Sequence, residues 1–324
     1  MTRHDAGPPP AFVETVAGLT AGTVATLVVH PLDIVKTRMQ IHRSNAATSQ
    51  TLTTISVLRG LTRTPHPVAA LYRGLTPNLL GNASSWASFF FFKARAESAL
   101  LAIKGPSPGD DVAALNPQDY FIASGVAGMF TQVFTNPIWV LKTRMLSSDR
   151  GAVGAYPSMW AGAAQLLRTE GWRGFYRGLG ISLFGVSHGA VQFAVYDPLK
   201  QMYISRRQKL ARGTSRSDSR ERQSMTNEAT LIISSVSKLV AGAVTYPYQV
   251  IRSRLQNYDA EERFGRGIRG VVKKTWREEG WRGFYRGIIP GVVRVMPATW
   301  VTFLVYENTK FYLPKWTSDP TIDQ

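Results

Sequence analysis

The feature that most limits what this chain can fold into is a phrase written three times. It reads Pro31-Leu-Asp33-Ile-Val-Lys36-Thr-Arg38-Met-Gln40, then Pro137-Ile-Trp139-Val-Leu-Lys142-Thr-Arg144-Met145, then Pro247-Tyr-Gln249-Val-Ile-Arg252-Ser-Arg254-Leu-Gln256. The prolines stand 106 and then 110 residues apart in a chain of 324. A second phrase, aromatic-Arg-Gly, follows each at nearly constant distance, as Tyr72-Arg73-Gly74, Tyr176-Arg177-Gly178 and Tyr285-Arg286-Gly287. A third closes each unit, at Phe92-Lys93, at Tyr196-Asp197 with Lys200, and at Tyr306-Glu307 with Lys310. Phrases that recur in one order at a fixed period mark copies of a single supersecondary unit.

Each copy reads as a long helix containing the proline, a short amphipathic helix and a second long helix. The long helices are predicted near residues 11–41, 76–101, 117–147, 179–205, 229–257 and 288–312, and the short ones near 53–61, 157–169 and 268–278. A proline inside a helix removes a backbone hydrogen bond and bends the axis. In a bilayer such a bend survives only where protein or lumen water satisfies the freed carbonyl. Bends at Pro31, Pro137 and Pro247 therefore predict a ring that narrows at one end. The chain divides into a leader (1–10), repeat 1 (11–104), a Gly/Pro linker (105–116), repeat 2 (117–205), a Ser/Arg-rich loop (206–228), repeat 3 (229–313) and a tail (314–324). The loop has the composition of a disordered segment.

A net charge of +17 at pH 7 would ordinarily suggest a nucleic-acid binder. Here the bases recur after each proline, at Lys36 and Arg38, Lys142 and Arg144, and Arg252 and Arg254, which suits phospholipid headgroups on the inner side of a membrane and no nucleic acid. The stretches 12–29, 121–134, 178–195 and 231–244 are rich in small and weakly polar residues, as expected of helices with lipid on one side and water on the other. Gly18 with Gly22 and Gly125 with Gly128 allow close backbone approach. The absence of cysteine excludes disulfides and thiolate metal sites. No phosphate-binding glycine loop, nucleophile elbow or metal-ligand spacing points to an enzyme. The fold class predicted is an all-α membrane protein of six transmembrane helices in three tandem repeats, with three short helices at one face.

Two cations in these helices constrain what passes between them. A charged side chain at the bilayer centre costs at least ~2.5 kcal/mol, so Arg294, and Lys238 nine residues before Pro247, should face water or an anion. Together they predict an anionic solute. Trp86, Trp139 and Trp300 offer flat faces for a planar ring, and the neutral ring of His188 offers a hydrogen bond.

The triple Pro-x-(Asp/Glu)-x-x-(Lys/Arg)-x-(Lys/Arg) phrase, with its aromatic-Arg-Gly partner, closely resembles the mitochondrial carrier family over residues 11–313. The resemblance implies a multi-pass protein of the mitochondrial inner membrane, with six tilted helices around a water-filled cavity, three matrix helices and transport by alternating access. It implies a matrix gate in which the acid of one repeat meets the base of the next. The acid positions read Asp33, Trp139 and Gln249 and the bases Lys36, Lys142 and Arg252, which leaves one ion pair, Asp33 with Lys142, and a neutral hydrogen bond from Gln249. A partly hydrated pair contributes roughly 0–1 kcal/mol, so this gate is expected to open easily, with Gln40 and Gln256 as braces. At the cytoplasmic gate Asp197, Lys200, Glu307 and Lys310 fit the family pattern, whereas repeat 1 offers Lys93 and Ala96. One bridge, Lys200 to Glu307, is then expected, with Lys93 repelling Lys310.

Family members bind solute midway along the even-numbered helices. Carried onto this chain, that region is Gly81, Asn82 and Trp86; Phe184, Gly185, His188 and Gln192; and Arg294 and Trp300. The words Asn136-Pro-Ile-Trp139, Leu183-Phe-Gly-Val-Ser-His188-Gly-Ala-Val-Gln192 and Arg294-Val-Met-Pro297 resemble the mitochondrial FAD/folate carriers, and Pro-Ile-Trp is shared with carriers of NAD and pyrimidine nucleotides. The resemblance implies FAD as transported substrate, with no prosthetic group, and phospholipids, including cardiolipin at the matrix side, as partners. Folate satisfies the same residues. A non-transporting membrane scaffold is the alternative of a different class.

Overall fold

The computed structural model describes residues 10–42, 52–104, 115–149, 151–152, 154–211, 226–258 and 260–317. In repeat 1, α1 (Pro10–Ile41) holds Pro31 within it. A reciprocal cap between Thr53 and Ser56 starts α2 (Thr54–Thr62). A short α3 (Pro67–Leu71) leads to α4 (Leu75–Lys104). In repeat 2, α5 (Pro117–Ser147) begins where the Asp119 carboxylate accepts the Asn116 backbone N–H at 2.7 Å, and it holds Pro137. Then come α6 (Met159–Phe175), α7 (Leu179–Leu183), a 3-10 turn (Phe184–Val186) and α8 (Ser187–Ala211). Repeat 3 comprises α9 (Asn227–Val244), α10 (Tyr246–Gln256), α11 (Ala260–Phe264), α12 (Gly267–Gly283), α13 (Ile288–Val293) and α14 (Val295–Thr317).

Three spans expected to be continuous are broken. The fifth bends by 56° between α9 and α10, because Pro247 sits in the first turn of α10, where no N–H is needed, and cannot continue the ladder from α9. The sixth breaks at Arg294, where Pro297 has no N–H to offer the Val293 carbonyl. The fourth passes through the 3-10 turn at Phe184–Val186, where α10 comes so close that a Cβ on Gly185 would lie 3.2 Å from the Tyr248 hydroxyl. The region predicted as a loop from residue 206 is helical as far as Ala211, and helix resumes at Asn227; residues 212–225, the linker 105–114 and the leader 1–9 lie outside the described residues. Helices α3 and α11 add to the predicted short helices.

The six spans form a closed ring in which α1 packs on α4, α4 on α5, α5 on α7, α8 on α9, α9 on α13 and α14 on α1. The odd-numbered spans also meet one another, α1 with α5, α5 with α10 and α10 with α1, at their proline ends. The first, fourth and sixth spans are each long and apolar enough to cross a membrane, as is the bent fifth if counted as one span. The second and third, at 30 and 31 residues, are long enough but carry more polar residues, among them Asn78 and Asn82 on α4 and Asn136 and Lys142 on α5.

The repeated phrases explain the closure. Arg38 Nε donates to the Leu146 carbonyl at 3.2 Å, Arg144 Nε to Gln256 at 3.1 Å and Arg254 Nε to Gln40 at 3.0 Å, so each repeat is tied to the next and the third to the first. Because a backbone carbonyl accepts, Leu146 can stand where the other repeats have glutamine. Gly74, Gly178 and Gly287 all have positive φ (73°, 72° and 80°) and lie against the next repeat's proline phrase. A Cβ on Gly287 would sit 2.9 Å from the Lys36 carbonyl oxygen.

Within each repeat the residue before the proline binds the aromatic-Arg-Gly phrase. His30 Nε2 bonds the Arg73 carbonyl at 3.0 Å, Asn136 donates to Phe175 at 2.7 Å and the Tyr246 hydroxyl donates to Arg286 at 3.0 Å. All three residues are polar, and of the three the sequence phrases single out Asn136 alone.

Candidate functional site

At the proline end the second and fifth residues after each proline meet in cyclic order. Lys36 Nζ donates to Gln249 Oε1 at 2.9 Å, and Lys142 Nζ lies 4.0 Å from Asp33 Oδ2. Trp139, expected to leave a gap, is instead filled by cation–π contact: Lys142 Nζ stands 4.7 Å and the Arg252 guanidinium 6.0 Å from its ring. Such contacts contribute up to about 2 kcal/mol when desolvated, so an aromatic ring replaces the missing acid. The three junctions use three chemistries: ion pair, hydrogen bond from an ammonium to a neutral amide, and cation–π.

The braces lie one turn further on. Ser253 Oγ donates to Gln40 Oε1 at 2.7 Å and Gln40 Nε2 to the Tyr246 hydroxyl at 3.2 Å, joining α1 to α10; Thr143 Oγ1 donates to Gln256 Oε1 at 3.0 Å, joining α5 to α10. Below them Arg144 and Arg254, each with a 1% exposed side chain, pair with Glu170 at 2.6 Å and Glu279 at 2.9 Å. Arg177 and Arg286 bind the same carboxylates at 2.7 and 3.0 Å. Burial pushes the Glu170 carboxyl up, but Arg144 and Arg177 outweigh it and hold the group below its ordinary range. Repeat 1 has His66 at the equivalent place, and Arg38 reaches out at 2.6 Å to Asp149, which is 62% exposed.

Asp33 keeps the expected ion pair with Lys142 at 4.0 Å and makes a second, shorter contact that the sequence did not predict. Arg294 Nη1 donates to Asp33 Oδ1 at 2.6 Å, well inside the 4.0 Å separation from Lys142. Asn78 Nδ2 donates to the other oxygen at 3.3 Å and bonds His30 at 3.0 Å. Neither Asn78 nor His30 was singled out in the sequence.

These residues line two joined cavities. One, of about 360 Å³, is bordered by Asp33, Lys36, Trp139, Lys142, Arg252 and Arg294. The other, of about 140 Å³, includes Lys238 and shares Lys36, His188, Gln249 and Arg294 with the first. Lys36, Lys142, Lys238, Arg252 and Arg294 face a lining whose acid is Asp33. Arg294 Nε and Arg252 Nη2 are buried without a partner, and Lys238 has no ion pair among the described residues. His188 Nδ1 bonds Thr245 Oγ1 at 2.9 Å, linking the break in the fourth span to the bend in the fifth.

Other residues expected at the solute site are placed differently. Gly81 packs on Trp139 and Ile138, and Asn82 Nδ2 donates to Thr26 at 3.4 Å. Trp86, 65% exposed, stacks on Phe90, while Phe184, Gln192 and Trp300 line neither cavity. No ring contact joins Trp86, Trp139 and Trp300 among the described residues, and the three sit on three different spans.

At the opposite end the charged phrases stand apart. Lys200 and Glu307 form no ion pair among the described residues, and Asp197, Lys200, Glu307 and Lys310 are exposed. Lys310 Nζ donates to Glu14 at 2.6 Å, Tyr306 bonds the same carboxylate, and Lys93 pairs with Glu97 at 3.0 Å. Among the described residues the expected bridge does not form, and Lys310 is engaged by Glu14 of the first span instead.

The threefold architecture agrees with comparison to known proteins. The mitochondrial carrier protein family matches three times, at residues 7–103, 113–207 and 223–316. The chain belongs to that family. The carrier is 38% identical over 317 residues to the mitochondrial FAD carrier protein of Saccharomyces cerevisiae, covering 94% of this chain and 98% of that one. It is 32% identical to a chloroplastic folate transporter of Arabidopsis thaliana, covering 90% of this chain and 92% of the relative. It is also 32% identical to a mitochondrial nicotinamide adenine dinucleotide transporter of the same plant, covering 90% and 77%.

Proposed function

We propose that the carrier moves FAD across the mitochondrial inner membrane by alternating access, with FAD as cargo and no prosthetic group. The observation that carries this reading is the charge of the lumen: five cations around two joined cavities whose lining contains one carboxylate. In a low-dielectric wall such a field concentrates anions, and the unpartnered guanidinium N–H groups call for acceptor oxygens. FAD offers a diphosphate to Arg294 and Lys238 and flat ring systems to Trp139, Tyr246 and Tyr248 of the lining. Similarity to the yeast FAD carrier over nearly the full length of both chains supports that choice. The folate and nicotinamide adenine dinucleotide relatives keep those solutes as alternatives, and the Pro-Ile-Trp139 phrase keeps pyrimidine nucleotides.

In this reading Asp33, Lys36, Trp139, Lys142, Gln249 and Arg252 form the matrix gate, braced by Gln40 and Gln256, and the carrier is closed on that side. Asp197, Lys200, Glu307 and Lys310, with Lys93, form the cytoplasmic gate, which assembles when the matrix gate parts. Phospholipid headgroups, with cardiolipin at the matrix side, meet the basic helix ends. Uptake of radiolabelled FAD, FMN, riboflavin, folate and NAD into proteoliposomes tests the assignment, with Arg294→Ala and Lys238→Ala alongside. FAD should accumulate and both variants should fail. Accumulation of NAD or folate with FAD inert overturns the cargo, and no accumulation of any solute favours a scaffold.

A further inference from the structure

The geometry points to Asp33 as an internal competitor for the solute's anionic group: it occupies Arg294 in this structure, and a phosphoryl-bearing solute must displace it to bind. This rests on the carrier reading above and deepens it by assigning a specificity-determining residue. Asp33 lies on α1 and Arg294 at the break between α13 and α14, so their 2.6 Å contact staples the first span to the neighbouring sixth. At the seventh residue after the glycine of each aromatic-Arg-Gly phrase the repeats read Gly81, Gly185 and Arg294. The arginine has no symmetric counterpart, and at 2.6 Å it holds Asp33 more closely than Lys142 does at 4.0 Å.

Arg294 is only half satisfied by this contact. Its Nε is buried without a partner, as is Arg252 Nη2 in the same cavity. A tetrahedral phosphate can accept from both guanidinium groups at once, which the Asp33 carboxylate, held also by Asn78 at 3.3 Å, does not do here. A neutral or weakly anionic solute cannot compete with a carboxylate already in place. Asp33 thus sets a threshold: phosphoryl groups exchange with it, whereas the uncharged parent ring system does not. The exchange also unfastens α1 from the sixth span, which links occupancy to the proline end.

The test is a double-mutant cycle on the purified carrier, with equilibrium binding of FAD, riboflavin and inorganic pyrophosphate to wild type, Asp33→Asn, Arg294→Gln and the double variant. Asp33→Asn should bind pyrophosphate and FAD tighter by on the order of tenfold, with riboflavin unchanged. In the Arg294→Gln background the same substitution should change nothing. An equal gain with and without Arg294 would mean that Asp33 acts only through the general field, and unchanged or weaker pyrophosphate binding by folded Asp33→Asn would also overturn the exchange. Should Asp33→Asn not fold, Asp33→Glu must alter pyrophosphate affinity in an Arg294-dependent way, or the exchange is rejected. FAD inert with the pyrophosphate cycle intact supports the exchange and rejects FAD as cargo.

Discussion

The two ends of the ring use similar charged phrases under opposite conditions. At the proline end Arg144 and Arg254 are almost fully buried and bind carboxylates of their own repeat and backbone carbonyls of the next. At the other end Lys310 and Glu14 are each 48% exposed, and Glu307 is unpaired among the described residues. Removing one partner of a buried pair strands a charge and costs about 3–5 kcal/mol, whereas an exposed pair contributes roughly 0–1 kcal/mol. The difference separates frame from latch: the deep arginines at the proline end hold the ring together, and the exposed end can assemble and part cheaply.

The largest expected effect comes from breaking the frame. Arg254→Ala should lower stability by about 3–5 kcal/mol, read as a loss of thermal unfolding temperature in detergent. Arg38→Ala, at the equivalent place in repeat 1, should cost about 1 kcal/mol, because its acid Asp149 is exposed. Equal losses would show that the repeats share one frame after all. Next comes Trp139→Ala, expected to destabilise the closed proline end by up to about 2 kcal/mol and to raise solute leak, with Trp139→Phe intermediate. A leak unchanged in Trp139→Ala would remove the cation–π junction from the gate. The smallest effects on stability belong to the exposed end. Glu14→Gln should shift stability by less than about 1 kcal/mol, and Glu307→Gln should leave it unchanged yet slow uptake; normal uptake by Glu307→Gln would remove that residue from the gate.

Much of the frame was legible because it is written in local chemistry. Pro117 and the Asn116–Asp119 cap fix the start of α5, and its observed bounds, Pro117–Ser147, match those read from the sequence. The proline phrases located the convergence of the odd-numbered spans because a repeated kink has one geometric meaning. The break at Arg294 was also encoded, by Pro297, but the apolar run around it masked the signal. The 3-10 turn at Gly185 was not encoded locally, since it depends on Tyr248 of another repeat. Symmetry was incomplete at Asp33: it places Lys142 beside the carboxylate, as found at 4.0 Å, but has no place for Arg294, 261 residues away and without an equivalent, which makes the shorter contact. Symmetry likewise called Trp139 a lost acid, where the ring's π face does the acid's work beside Lys142 and Arg252.

The central claim, a lumen that must open at the proline end for solute to cross, can be tested with one tether. The chain has no cysteine of its own, so Gln40→Cys with Ser253→Cys, whose native side chains meet at 2.7 Å across α1 and α10, can be joined by a short, reducible bis-thiol reagent. FAD uptake into proteoliposomes should stop when the tether is closed and return when it is reduced. Uptake that continues at the same rate with the tether intact would contradict a proline end that opens.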